Sequence, residues 1–165
     1  MVAANRPATA DWSLRTLLAG FADVTDEQNV ELGGITADSR SVMAGDLFFA
    51  VAGAGRHGLD FALQAAKAGA AAVVFEPETA DQMPELQIPV IAVEQLSARM
   101  GLIADRYCFQ PSKHYAVVGV TGTNGKTSVT HFLATALQRL GIECGVVGTL
   151  GTGFVSDLKE TGFTT

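Results

Sequence analysis

The chain has 165 residues, 48% of them hydrophobic, and a formal net charge of −6 at neutral pH. That suits one or two compact domains with a real core, and no basic stripe with interleaved aromatics points to nucleic acid as a partner. No apolar run reaches the ~18 residues needed to span a membrane, and the N-terminus lacks a basic region followed by an apolar core. A cytoplasmic protein without membrane insertion is therefore expected. Cys108 and Cys144, the two cysteines, have no metal-type spacing and are expected to be reduced, buried thiols.

The first residues around Pro7 resemble a loose arm, after which Asp11 is placed to cap a short helix carrying Trp12, Leu14, Leu17 and Leu18. Gly33 to Arg40 predicts a short strand running into a polar turn. Gly45-Asp46 then turns into the apolar run Leu47–Ala52. Gly53 to Gly58 is expected to be an exposed loop. Asp60 is placed to cap a helix from Phe61 to about Ala68, which Gly69 ends. Ala71–Phe75 and Ile88–Val93 read as strands, and Leu96, Met100, Ile103 and Tyr107 mark one face of a helix. Pro111-Ser112 is a candidate boundary. The alternation before it predicts a small α/β domain over residues 1–112, with a second α/β domain over 113–165.

The richest chemistry lies in Val117–Ser128, VVGVTGTNGKTS. The apolar run Tyr115–Val120 has the length of a buried strand. A Gly-rich turn follows, and Lys126 and Thr127 open a helix whose apolar face is Val129, Phe132, Leu133, Ala136, Leu137 and Leu140. This is the layout of a phosphate-binding loop. Backbone N–H groups of Gly122, Thr123, Asn124 and Gly125 can wrap an anion at a helix N-terminus. Lys126 would meet the β/γ phosphates of ATP, Thr127 would sit on Mg²⁺, and Ser128 completes the loop. Val120 departs from the generic pattern, which has glycine there, so a plain strand-to-helix turn with a solvated lysine is the competing reading. With the run Cys144–Thr149 the segment amounts to one βαβ unit. A nucleotide-binding sheet needs more strands than that, which suggests an N-terminal piece of a longer protein.

Two separated segments resemble one family. Thr121-Gly-Thr-Asn-Gly-Lys-Thr127 is similar to the nucleotide loop of the Mur ligases, ATP-dependent amino-acid-adding enzymes of peptidoglycan synthesis, which use this shortened pattern. Thr36-Ala-Asp-Ser-Arg40, Gly45-Asp-Leu-Phe48, Gly53–Gly58 and Phe61–Phe75 resemble the family's N-terminal domain, which holds the UDP end of the substrate. Within the family, TGTNGKT, Gly148-Thr-Leu-Gly151 and Thr164-Thr165 resemble the member that adds the third peptide residue.

The resemblance implies an N-terminal UDP-binding α/β domain followed by the start of an ATP-binding one. It implies amide formation through an acyl phosphate, with UDP-N-acetylmuramoyl-L-Ala-D-Glu, ATP and an amino acid, expected to be meso-diaminopimelate, as substrates. It also implies a monomer. Ala37 and Ser39 would contact the uridine end, and Ala54, Gly55 and Arg56 would lie beside it. Thr164 and Thr165 would grip the muramyl-peptide part, and Lys126 would be catalytic. His57 stands where the family usually has an acidic residue, and Phe163 where a small one is common. The determinants of the added amino acid, a further metal ligand and the family's modified lysine are expected beyond Thr165, so the chain alone is expected to be inactive.

Plainer readings stand beside these. Ser39 reads equally as a turn hydroxyl, and Asp38–Arg40 as an exposed ion pair of little worth. His57 reads as a solvated loop side chain, and His114 and His131 have no partner in sequence. Arg56 is either a solvated charge or a bidentate contact to a diphosphate. The alternatives for the whole chain are the family member adding D-Ala-D-Ala and an unrelated phosphate-loop NTPase.

Overall fold

The computed structural model describes residues 12–53, 56–80 and 85–160. They fall into two compact units that divide between Tyr115 and Ala116.

The first unit begins with strand β1 (Trp12–Ser13), which pairs antiparallel with β2 (Glu31–Leu32). Helix α1 (Leu14–Leu18) lies between them and is capped by Ser13, whose hydroxyl accepts from the Thr16 N–H at 3.2 Å. The expected cap, Asp11, lies outside the described residues. Strands β3 (Gly34–Thr36), β4 (Asp46–Ala50), β5 (Ala72–Phe75) and β6 (Val90–Ala92) stand side by side in chain order. All are parallel to one another.

Side chains of these strands alternate between two cores, as the two-residue period requires. Leu47, Phe49, Ala72 and Val74 pack with Leu14, Leu17 and Leu18 of α1 and with Leu96, Ile103 and Tyr107 of helix α3 (Leu96–Tyr107). Phe48, Ala50, Val73 and Phe75 face the other way, toward Leu59 and toward Ala62 and Ala65 of helix α2 (Ala62–Lys67). A parallel sheet covered on both faces follows, which is why β4 and β5 read as unbroken apolar runs.

Two long-range contacts tie the ends of this unit together. The Arg106 guanidinium on α3 donates to the Leu17 and Ala19 carbonyls at 2.7 Å each, satisfying the C-terminus of α1, and stacks 4.7 Å from the Phe21 ring centroid. Tyr107 Oη donates to the Gly33 carbonyl at 3.1 Å.

In the second unit, helix α4 (Lys126–Arg139) packs on β7 (Gly145–Gly148), which forms an antiparallel meander with β8 (Gly151–Phe154) and β9 (Asp157–Lys159). The α/β class holds for the chain, but three sequence-based expectations are corrected here. Residues 116–120 form no strand, and Val117 and Val118 are exposed, so the expected βαβ unit lacks its first strand. A strand exists only through hydrogen bonds to a neighbour, and β7 takes its partner from the hairpin instead.

The apolar stripe of α4 is also not buried: Val129, Phe132, Leu133 and Leu140 are exposed, and Ala134 is the helix's buried residue. The face turned inward is Thr127, Thr130, His131 and Ala134, at spacings of three, four and seven. The thiols depart from expectation as well, Cys108 being exposed and Cys144 half-buried. Among the described residues no helix is long and apolar enough to cross a membrane.

Candidate functional site

In the second unit, the turn before α4 uses glycine where backbone φ is positive, +142° at Gly122 and +79° at Gly125. Gly125 is the N-cap and offers no side-chain cap, and its carbonyl accepts the Val129 N–H at 2.9 Å. The N–H groups of the first turn, Lys126 to Ser128, precede that first intrahelical bond and have no carbonyl of the helix to donate to. Lys126 Nζ donates to the Gly122 carbonyl at 2.8 Å, so the ammonium lies across the loop it follows. Thr123, Asn124 and Ser128 are exposed, and Lys126 and Thr127 are half-buried.

Lys126 and Thr127 line a cleft with Val120, Thr130, His131 and the 146–151 hairpin. Its volume of ≈ 80 Å³ is far below the ~300 Å³ at which pockets begin to enclose a whole drug-sized ligand. A phosphate-sized group fits this corner, and a nucleoside would extend out of it. The Thr127 hydroxyl has no hydrogen-bond partner among the described residues, whereas Thr130 Oγ1 donates within the helix to the Lys126 and Thr127 carbonyls, at 3.1 and 2.9 Å. Among those residues there is also no cluster of three or more His, Cys, Asp or Glu side chains suited to a metal. A divalent ion held here would suit magnesium's habit of using one or two protein oxygens, phosphate and water. Thr130 and His131 are site-lining residues that the sequence reading missed. Their signal is spacing, three and four residues beyond Thr127 on one helix face.

The second cluster is at the carboxyl edge of the parallel sheet in the first unit. Strands β3, β4, β5 and β6 end at Thr36, Ala50, Phe75 and Ala92 in parallel register. The segments that start at residues 37, 51, 76 and 93 therefore all leave from one edge, the usual place for ligands in such sheets. Ser39 and Arg56 lie on two of these segments. Ala37 is exposed and Ser39 half-buried. Ala54, Gly55, Phe163, Thr164 and Thr165 lie outside the described residues.

Asp38 fixes the turn that carries Ser39. Its carboxylate accepts from the Arg40 backbone N–H at 3.0 Å and from the guanidinium through Nε and Nη2, both at 2.9 Å. Those hydrogen bonds from Arg40 hold the Asp38 carboxyl below its ordinary value of 3.8.

Arg56 is aimed by its neighbours, with Nε 3.2 Å from Asp60 Oδ2 and the guanidinium carbon 4.8 Å from the Phe61 ring centroid. His57 is not a free loop side chain. Its Nδ1 accepts the Leu59 N–H at 3.0 Å as the N-cap of a 3₁₀ turn over Gly58–Phe61, and its Nε2 meets Thr79 Oγ1 at 2.8 Å. Gly58 is required by close approach, since a Cβ there would fall 2.6 Å from Ala50 Cα.

The N-terminus of α3, on the same edge, is already filled with negative charge. Glu76 accepts from the Ser97 N–H and hydroxyl at 3.2 and 2.7 Å, and Glu78 from the Gln95 N–H at 3.3 Å. The cationic side chains on the segments leaving this edge are Arg40 and Arg56, each next to a carboxylate, Asp38 and Asp60.

The Gly-rich turn opening α4 in one unit, and in the other a four-stranded parallel sheet with a polar carboxyl edge, give an α/β chain of two units. The chain belongs to the Mur ligase family: residues 31–108 match the model of the Mur ligase family catalytic domain, and 120–165 that of the Mur ligase middle domain. It is 48% identical over 143 residues to the UDP-N-acetylmuramoyl-L-alanyl-D-glutamate–2,6-diaminopimelate ligase of Xanthomonas oryzae pv. oryzae (strain MAFF 311018), an alignment covering 87% of this chain and 29% of the relative. The ligase of the same name from Alkalilimnicola ehrlichii (strain ATCC BAA-1101 / DSM 17681 / MLHE-1) is 45% identical over 161 residues, covering 92% and 32%. A solved structure of a ligase of that name superposes with a TM-score of 0.66 at 27% identity, over 91% of this chain and 30% of the other. The chain thus spans about 29–32% of the length of these relatives.

Proposed function

We propose that this chain forms the uridine-binding unit and the phosphate loop of a cytoplasmic, monomeric ATP-dependent ligase. That ligase joins 2,6-diaminopimelate, in its meso form, to UDP-N-acetylmuramoyl-L-Ala-D-Glu. The observation that carries the reading is the loop itself: Lys126 and Thr127 at the open N-terminus of α4, the ammonium already turned onto the loop at Gly122. The names of the relatives supply the substrates, and residues 12–115 supply a parallel sheet whose carboxyl edge offers Ser39 and Arg56. The reading divides the chain into a substrate-binding part, 1–112, and a nucleotide-binding part, 113–165.

Activating a carboxylate with ATP brings two anions together, so the site must neutralise charge on the transferring phosphoryl group. The N–H groups of Gly122 to Ser128 would cradle the phosphates, and Lys126 would pair with the β/γ oxygens. Thr127 would hold Mg²⁺, which when bound supplies further charge neutralisation. The D-Glu carboxylate takes the γ-phosphoryl group, releasing ADP, and the incoming amine then displaces phosphate to leave an amide. Ala37, Ser39 and the Ala54–Arg56 loop would hold the uridine end, with Thr164 and Thr165 on the muramyl peptide.

The test is calorimetric titration of the chain with Mg-ATP and, separately, with the UDP-muramyl dipeptide. Binding of both, with Lys126→Ala losing ATP alone, supports the assignment. ATP binding that survives Lys126→Ala unchanged rejects the loop.

A further inference from the structure

We infer that His57 is a positioning residue for the diphosphate of the uridine ligand, acting through the 3₁₀ turn that aims Arg56. This rests on the reading of the carboxyl edge as the uridine site.

The imidazole is engaged at both nitrogens. Nδ1 accepts the Leu59 N–H, so the ring is in the tautomer with hydrogen on Nε2, which donates to Thr79 Oγ1. The Thr79 hydroxyl in turn donates to the Glu76 carbonyl at 3.2 Å, and the Glu76 carboxylate caps α3. A hydrogen-bonded line thus crosses the carboxyl edge from the end of the 51–58 loop to the start of α3.

What hangs on His57 is the direction of Arg56. Its partners Asp60 and Phe61 both belong to the turn that His57 caps. The preceding backbone is pinned as well: Ala52 bridges His57, and Gly58 N–H donates to the Val51 carbonyl at 2.8 Å. With the cap present, the guanidinium keeps its contacts with Asp60 and Phe61, on a segment that leaves the same sheet edge as Ser39. Without it, the Leu59 N–H loses its acceptor and the turn that holds Asp60 and Phe61 is loosened.

Asparagine is the informative replacement. Its side-chain oxygen falls near the place of Nδ1 and caps such turns well, while it does not reach Thr79 as Nε2 does. Rescue by asparagine therefore assigns the effect to the cap rather than to the ring.

The experiment titrates the chain and its His57→Ala, His57→Asn and Arg56→Ala variants with UDP and with uridine by calorimetry. His57→Ala should weaken UDP binding about fivefold or more while uridine stays within about twofold, the size expected for a lost cap expressed through one contact. His57→Asn should restore UDP affinity. Arg56→Ala should match His57→Ala, and the double variant should be no weaker than either. UDP affinity unchanged in His57→Ala, an equal loss for uridine, or no rescue by asparagine overturns the inference while leaving the uridine site standing. A wild-type chain that binds neither ligand overturns the site itself, and the inference with it.

Discussion

Lys126 Nζ and the Gly122 carbonyl are 2.8 Å apart, so the loop closes on its own lysine across four residues. Under the proposed function, an ammonium held there by one neutral carbonyl would exchange it for phosphate oxygens, a stronger charge-assisted pairing.

From this relationship, Lys126→Ala in a complete ligase carrying this segment should lower turnover by at least ~10²-fold, the scale of losing one preorganised charge at a transferring group. Binding of the UDP-muramyl dipeptide should be spared, because the role proposed for Lys126 is confined to the nucleotide. Phosphate release and calorimetry measure the two separately. Lys126→Arg should not rescue, since a planar fork does not replace a point charge inside so small a cleft.

Gly58→Ala should destabilise the first unit by about 1–3 kcal/mol, the cost of forcing a methyl into packed backbone. The added Cβ would meet Ala50 Cα at 2.6 Å and Ala50 C and Val51 N at 2.7 Å, all backbone atoms that cannot swing away. A lowered urea midpoint with unchanged slope is the expected observation.

The Asp38–Arg40 turn should be sensitive to acid in one direction. Asp38 titrates below its ordinary 3.8 when folded, so its contribution is fully present above that value and is lost as pH falls through the lower, folded one. Arg40 stays charged throughout and adds no pH dependence. The pair is solvent-facing, with Arg40 80% exposed, so the contribution is small. Wild type should unfold at slightly higher urea than Asp38→Asn at pH 6, and the two midpoints should converge as pH drops below about 3.8.

The regular part of the first unit was legible because its signals are local. The Leu47–Ala50 and Ala72–Phe75 runs have to be buried strands, and Leu96, Ile103 and Tyr107 do share a buried face. Other features depend on partners that no local pattern names. His57 looked solvated because its acceptor role depends on the Leu59 N–H and its other bond on Thr79, 22 residues away. Asp60 looked like a helix cap but sits inside a 3₁₀ turn, where it serves Arg56. Residues 115–120 have strand composition, yet composition does not supply the neighbouring strand. The loop glycines and Lys126 were legible from motif alone, whereas Thr130 and His131 emerged only when α4 turned its small polar face, not its apolar one, toward β7.

That inverted helix gives a prediction with a wide margin. Phe132 is 74% exposed and Leu140 75% exposed, although both lie on the stripe that an amphipathic helix ordinarily buries. Were Phe132 in a core, its replacement by alanine would cost about 3–5 kcal/mol, whereas an exposed side chain changes stability by no more than roughly 0.5 kcal/mol. The stability of this chain should therefore barely respond to Phe132→Ala or Leu140→Ala. Ala134→Leu should be the damaging change on α4, because Ala134 is 1% exposed on a helix that packs on β7, leaving no room for three more carbons. Urea unfolding of the three variants decides the matter. A large loss for Phe132→Ala with none for Ala134→Leu would mean that α4 buries the opposite face in solution.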